Sequence, residues 1–490
     1  MRAYLTFDLG TTALKTALIA ADGRALAIHT TEYALLGPRP DWVEMAPQTY
    51  WDAVASGTCA VFAESGAAPS SLEGIGFSSQ AQTFIPIDRK GRPLRNAIVW
   101  VDTRAQEIAD EWEATWLPRD EYRRISGYPW LPAALTVFKI AWLARYEPAA
   151  LGAWKFLFLP DFIMYRLTGE TVTDRITAQG SGLFDFRAGG WEPRLLAASG
   201  VSSEQLPTVL DPGTVAGRLQ ADAAAELGIP AGVPVCIGAN DQLVGAIGAG
   251  NVRPGIVTAT TGTSLALVAT TAKLLDDPRM FVGRHAVPDA YCAMPFAITS
   301  AIVLKWFRDL CAPDLDYDTF LTGVGAVPPG CDGLAVLPHF AGTGSPTFNP
   351  HARGAFVGLT LGHTRAHLAR AIMEACACIL QECLELIRDH GLQIETVRAL
   401  GGAARSDLWM QMKADMLGLA VERPACSDAA SLGAAMLAAA GLGHFSTVRE
   451  AAEAWYRPSR VFEPDAGRFP VYREVFERYR TLYDRLYGGA

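Results

Sequence analysis

FDLGTTALKTALI, from Phe7 to Ile19, reads as an apolar strand, a tight turn and a second apolar strand. The turn is Leu9-Gly10-Thr11-Thr12, with Asp8 before it and Lys15 after it. A second stretch, TATTGTSLALVAT from Thr258 to Thr270, repeats the design around Thr261-Gly262-Thr263-Ser264. Glycine at such a turn lets the backbone come close to a bulky anion. Successive N–H groups with threonine hydroxyls then make a concave donor surface for phosphate. A chain that carries this cradle twice, well apart in sequence, is read as two related lobes serving one polyphosphate.

Length and composition fit that reading. At 490 residues the chain exceeds what one core supports, so two domains are expected, 1–249 and 250–490. Apolar residues make up 50% and charged residues 19%, which supplies ample core material. A net charge of −9 argues against nucleic acid as a partner, which would need a clustered positive face. The sequence has no apolar run of membrane-spanning length, and the alanine-rich stretch from Ala429 to Gly443 is too short and small-sided. The first strand begins within a few residues of Met1, leaving no room for a signal peptide, so a cytoplasmic location is expected. The nine cysteines form no CxxC pair; Cys376, Cys378 and Cys383 share one expected helix and are read as core.

Along the chain the opening is a β-meander, followed by a helix from about Pro47 to Ser65 and strands at Gly74–Ser78 and Ala97–Val101. Residues 103–199 are mostly helical. The strand Val233–Ile237 runs into Gly238-Ala239-Asn240-Asp241-Gln242 and a glycine-spaced helix. In the second half, a long helix covers His367–His390 and the strand Val397–Leu400 runs into Gly401-Gly402. A short strand spans Val421–Arg423, and Ser427 is expected to cap the last alanine-rich helix. The tail carries Tyr472, Phe476, Tyr479, Tyr483 and Tyr487 at helical spacing, a packing face rather than a stacking platform.

Phosphoryl transfer needs held phosphates, a divalent ion and a base for the acceptor hydroxyl. Asp8, at the end of the first strand, is placed to hold Mg²⁺ directly or through water, and Lys15 to reach a phosphate. Asp241 sits at a strand-to-helix turn, where it reads equally as a helix N-cap or as a general base; Gln242 offers an amide for ligand hydroxyls. Gly401-Gly402-Ala403 could form a flat platform for an adenine ring, with Ser406 capping the next helix. No Gly-x-x-x-x-Gly-Lys-[Ser/Thr] occurs, so a P-loop is excluded.

Together these segments resemble the FGGY carbohydrate kinase family of the actin-like superfamily, over nearly the whole chain. Asp8-Leu9-Gly10-Thr11-Thr12 with Lys15 is similar to its first phosphate motif, and Thr261-Gly262-Thr263-Ser264 to its second. Gly401-Gly402-Ala403-Ala404 with Ser406 resembles its adenosine segment. Gly354-Ala355-Phe356-Val357-Gly358-Leu359, followed by His367-Leu368 and Ala371-Ile372-Met373-Glu374, resembles its C-terminal signature. The resemblance implies an α/β fold of two actin-like (ribonuclease-H-like) domains with a cleft between them, ATP and Mg²⁺ as cofactors, and Asp241 as catalytic base. It implies a sugar pocket lined by Trp100, Asp102, Ala81, Gln82 and Gln242, although Asp102 and Arg104 could equally form a structural ion pair. ATP would meet Gly10, Thr11, Thr12, Lys15, Gly262, Thr263, Gly401, Gly402, Ala403 and Ser406, with the metal at Asp8.

Ala81-Gln82 stands where xylulose kinases usually have Met-His, and Gly342-Thr343-Gly344-Ser345-Pro346 where many have Gly-Glu-Arg-Thr-Pro. The Arg-Glu of glycerol kinases is absent. The chain resembles the xylulose kinase-like branch more than the glycerol branch. A small-sugar kinase acting on a primary hydroxyl, best matched by a ketopentose such as D-xylulose, is therefore expected. Alternatives are a kinase of another ketose, a polyol such as glycerol or erythritol, or a sugar acid, and a non-catalytic actin-like nucleotide-binding module. The expected partner is a small-molecule sugar; neither nucleic acid nor membrane is expected, and a homodimer is compatible with this reading.

Overall fold

The computed structural model describes residues 2–488. The chain folds into two compact units. The first contains the residues up to Val252 together with Val282–Tyr291 and Cys426–Tyr456; the second contains Arg253–Phe281, Cys292–Ala425 and the residues from Arg457 on.

In the first unit, β1 (Ala3–Leu9), β2 (Ala13–Ala20) and β3 (Ala25–Glu32) form an antiparallel meander. β4 (Leu72–Ser79) lies parallel to β1 on its other side. With β5 (Val215–Arg218) and β6 (Pro234–Cys236) the sheet runs β5-β6-β4-β1-β2-β3. Strand alternation sorts the side chains. Leu5, Phe7 and Leu9 of β1 enter the core with Leu14 and Leu18 of β2 and with Tyr50, Trp51 and Val54 of the helix Pro47–Ser65. Thr6 and Asp8 lie on the opposite face, where their parallel partners are Gly76 and Ser78 of β4.

That opposite face is covered by the helix Ala429–Gly441, which also packs along the helix Asp241–Gly248. The approach is close because side chains are missing where backbones meet. A Cβ on Gly76 would lie 2.5 Å from the Ala434 carbonyl oxygen, one on Gly433 1.9 Å from that of Val244, and one on Gly248 1.8 Å from that of Ala429. This packing explains why 426–456 belongs with the first unit, whereas a contiguous division at 249/250 assigns it to the second. The cap of this helix also differs from the sequence expectation. Asp428, not Ser427, is the N-cap and accepts from the Ser431 N–H. The expected strand Ala97–Val101 is shorter, at Ala97–Ile98.

The second unit repeats the strand logic. β7 (Ile256–Thr261) pairs antiparallel with β8 (Leu265–Thr271) and parallel with β9 (Thr396–Leu400). β9 continues parallel to β10 (Ala420–Pro424), which pairs antiparallel with β11 (Pro458–Phe462). An antiparallel hairpin whose first strand is also the parallel neighbour of the next strand thus occurs once in each unit. The helix Arg365–Arg388 buries Cys376, Cys378 and Cys383 among its apolar residues, and the closing helix Phe469–Tyr487 buries Tyr472, Phe476 and Tyr479. Among the described residues no helix is long and apolar enough to cross a membrane.

Gly433→Ala should destabilise the chain by about 1–3 kcal/mol through backbone overlap. Gly37→Ala, where a Cβ meets nothing within 4 Å, should leave stability unchanged. Denaturant unfolding of the two variants checks the pair.

Candidate active site

Backbone and side-chain hydrogen bonds hold the first cradle. Gly10 N–H donates to the Ala13 carbonyl (3.0 Å), and the Gly10 carbonyl accepts from Tyr33 Oη (2.6 Å) and Gln80 Nε2 (3.0 Å). A Cβ at Gly10 would lie 2.7 Å from the Ala13 oxygen, so the turn admits only glycine without rearrangement. Register places Asp8 opposite Lys15 across the hairpin and beside Ser78 on β4. Ser78 Oγ donates to Asp8 Oδ1 at 2.7 Å. Lys15 Nζ stands 3.9 Å from Asp8 Oδ2 and 3.4 Å from Asp428 Oδ2. Burial and the Asp428 charge push the Asp8 carboxyl up to about 6, against the opposing pull of Ser78 and Lys15.

Asp241 opens the helix Asp241–Gly248, but the N-cap is Asn240, whose side chain accepts from Gln242 N–H. Of the two readings its sequence position allowed, the capping role therefore belongs to its neighbour. Burial, then the nearby Asp8 carboxylate, raises the Asp241 carboxyl to about 7, while hydrogen bonds from Gln242 and Asn240 pull the other way. A carboxyl poised near neutrality beside a second carboxylate has the character of a general base.

The other candidates of this unit surround Trp100. Its indole Nε1 donates to Thr11 Oγ1 at 2.8 Å and its backbone N–H to Thr83 Oγ1 at 3.0 Å. Trp100 as a whole is 37% exposed, unusual for so large an apolar side chain and compatible with a ligand-facing role. Gln82 holds a left-handed backbone (φ 64°), and its amide Nε2 donates to Tyr128 Oη at 2.8 Å. Such strain in a non-glycine residue is kept where surroundings demand it. Ala81 is buried against the helix Arg175–Gly180; a Cβ on Gly180 would lie 3.2 Å from the Ala81 methyl. Gln242 is partly buried, and Thr12 is exposed at the turn.

Asp102 is corrected. It is completely buried, and its carboxylate accepts from Arg104 Nε and Nη2 at 2.8–3.0 Å and from the Val43 N–H at 2.6 Å. Arg104 continues to Glu44 (2.8 Å) and stacks over Trp42. Every oxygen of Asp102 is engaged in anchoring the loop that carries Trp100, leaving none for a sugar.

In the second unit, Gly262, Thr263, Gly402, Ala403 and Ser406 line a cavity of about 560 Å³, within the range of small-molecule sites. Ile302, Leu321, Tyr317 and Trp409 give it apolar walls. A Cβ on either Gly262 or Gly402 would meet nothing within 4 Å, so both glycines leave open space for a ligand. Gly401 (φ 82°) lies beside this wall, where a Cβ would come 2.6 Å from the Thr261 carbonyl oxygen. Ser406 Oγ caps the helix Asp407–Leu417.

Sequence reasoning missed four residues that shape these sites. Asp428 and Ser78 flank Asp8. Lys139, fully buried, donates to the Val99 and Trp100 carbonyls at 2.9 and 3.1 Å, and burial draws its ammonium down to about 7. Lys413, also buried, donates to Thr261 Oγ1 at 2.7 Å and braces the second cradle. A lone lysine within an otherwise apolar helix segment, as at Lys139 in Thr136–Tyr146, was the available signal.

Models of the FGGY family of carbohydrate kinases match residues 3–248 for the N-terminal domain and 257–442 for the C-terminal domain. A xylulose kinase from Bacillus subtilis is 29% identical over 99% of this chain and 97% of its own. A glycerol kinase from Alkalilimnicola ehrlichii is 31% identical over 100% and 99%. The crystal structure of a xylulose kinase from Rhodospirillum rubrum superposes with a TM-score of 0.91 at 29% identity, covering 99% of both chains. Two family models spanning both α/β units, relatives similar from end to end, and phosphate-type glycine turns at the matching strands lead to one conclusion: this chain belongs to the FGGY family of carbohydrate kinases.

Proposed function

We propose that the chain transfers the γ-phosphoryl group of ATP to a primary hydroxyl of a small ketose, best matched by a ketopentose such as D-xylulose. The observation that carries the proposal is Asp241. Its carboxyl is raised to about 7, its helix-capping duty is taken by Asn240, and it lies within the electrostatic reach of Asp8. In this reading Asp241 accepts the proton of the attacking hydroxyl, and Trp100, Gln82 and Gln242 bind the sugar. Thr11 and Gly10 of the first cradle and Gly262 and Thr263 of the second donate to phosphate. Gly402, Ala403 and Ser406 hold the adenosine, with Gly401 shaping that wall and Lys15 and Thr12 near the phosphates.

The residues at Asp8 fit a divalent cation. Asp8 lies in the field of Asp428, Asp241 lies in that of Asp8, and Lys15 is the ammonium that pairs with Asp8 and Asp428. That surplus of negative charge favours a further cation. Among the described residues no three His, Cys, Asp or Glu side chains converge as a metal cage. Magnesium in nucleotide sites is held by one or two carboxylates, with phosphate and water completing its shell. When bound at Asp8, Mg²⁺ would neutralise charge developing on the transferred phosphoryl group.

The acceptor is set by the loop at Gln80–Gln82. Ala81-Gln82 shortens one pocket side chain and puts an amide where an imidazole is usual, which keeps polyols, other ketoses and sugar acids in play. A coupled assay across pentuloses, hexuloses, glycerol, erythritol and gluconate, scored by kcat/KM, decides between them. Nucleotide binding without stimulation by any acceptor would instead favour a binding module.

Asp241→Asn should retain nucleotide binding and lose ~10²–10⁴-fold in kcat; wild-type turnover in that variant would remove Asp241 from the reaction. Since only the ionised carboxylate can accept a proton, kcat/KM should fall as pH drops below about 7, and a profile flat from pH 5 to 8 would contradict the assignment. Gly262→Val fills space that nothing in the fold occupies, so its melting temperature should stay unchanged while ATP affinity falls, as measured by calorimetric titration.

A further inference from the structure

Across the β1–β2 hairpin, Lys15 is the register partner of Asp8. An ammonium in that position would by itself settle on the carboxylate opposite and close an ion pair. Instead it is shared: Nζ lies within ion-pair distance of both carboxylates, 3.9 Å from Asp8 Oδ2 and closer, 3.4 Å, to Asp428 Oδ2. Asp428 is 6% exposed, and its Oδ2 has no hydrogen-bond donor other than that ammonium. Its other oxygen accepts the Ser431 N–H at 3.4 Å, which fixes the carboxylate at the start of the helix Ala429–Gly441. Asp8 has one oxygen committed to Ser78, so Oδ2 is the atom it can offer to a cation.

Resting on the Asp8 cation site proposed above, we infer that Asp428 is a positioning residue acting through Lys15. It draws the ammonium off Asp8 Oδ2, keeping that oxygen open to the divalent cation that accompanies the nucleotide. The charge balance is consistent. A carboxylate neutralised by a direct ammonium contact is a weak ligand, whereas one sharing the ammonium with a second carboxylate keeps net negative charge. Asp241 adds to the same field at Lys15, but its carboxylate makes no ion pair with that ammonium among the described residues.

The test measures cation binding rather than turnover. Mn²⁺ affinity in the presence of a non-hydrolysable ATP analogue is followed by electron paramagnetic resonance. The proteins compared are the unmodified chain, Asp428→Asn, Asp428→Ser and the double variant Asp428→Asn with Lys15→Met. Both single changes keep a residue able to cap the helix, so either preserves the fold if the other does not. Each is expected to weaken Mn²⁺ binding by ~10–100-fold, the usual effect of losing a residue that orients a metal ligand. KM for the acceptor sugar should stay unchanged. Removing Lys15 in the Asp428→Asn background should restore much of the lost affinity. Wild-type affinity in both single variants, or an equal loss in the double variant, overturns the inference. An unmodified chain that binds no Mn²⁺ overturns the Asp8 cation site itself, and this inference with it.

Discussion

The close approach of the helix Ala429–Gly441 to β4 and to the helix Asp241–Gly248 is the constraint from which the rest of the first unit follows. Its contacts are backbone on backbone, at Gly76, Gly433 and Gly248, where any side chain would overlap a carbonyl oxygen. Interiors pack at crystal-like density, so a contact without side chains fixes positions within a fraction of an ångström. The helix start carries Asp428 to the end of β1, where Asp8 and Lys15 already face one another. The start of its partner helix carries Asp241 into the same field. Small residues in this helix thus position three carboxylates, a task that large apolar side chains would prevent.

The electrostatics follow from that geometry. Burial raises a carboxyl's proton affinity, and a neighbouring like charge raises it further. Asp8 and Asp241 are displaced upward to about 6 and about 7 for that reason, and Lys15 is the cation set among them. Such a cluster costs stability, a cost that is tolerable where the ligand brings compensating charge. The second unit takes the opposite approach, with two glycines that leave empty space and a buried lysine bracing the cradle from behind.

Much of this was legible in the chain itself. The two glycine hairpins are local features: strand, turn and strand are set by apolar runs and by the residues able to adopt the turn, and both formed where the pattern placed them. The cysteines of the long helix packed as their periodicity implied, and of the closing helix's aromatic face Tyr472, Phe476 and Tyr479 are buried while Tyr483 and Tyr487 stay partly exposed. Asp102 was ambiguous in sequence because an Asp two residues before an Arg fits a ligand and an ion pair alike. The fold resolved it by burying both and adding the Val43 N–H. Asp428 left no such signal, since the cap of the alanine-rich helix reads at Ser427, one residue earlier; the fold makes Asp428 the cap and turns its other oxygen toward Lys15.

The sequence by itself determined the hairpins, the repeated strand pattern, the apolar faces and the family, because each depends on neighbours in the chain or on motifs a few residues long. Only the tertiary structure decided which residues share a site. Asp8, Ser78, Asp241 and Asp428 are separated by tens to hundreds of positions. Their meeting depends on strand register and on helices docked through glycine. So does the return of 426–456 to the first unit, since a helix is assigned by the surface that buries it rather than by its place in the chain.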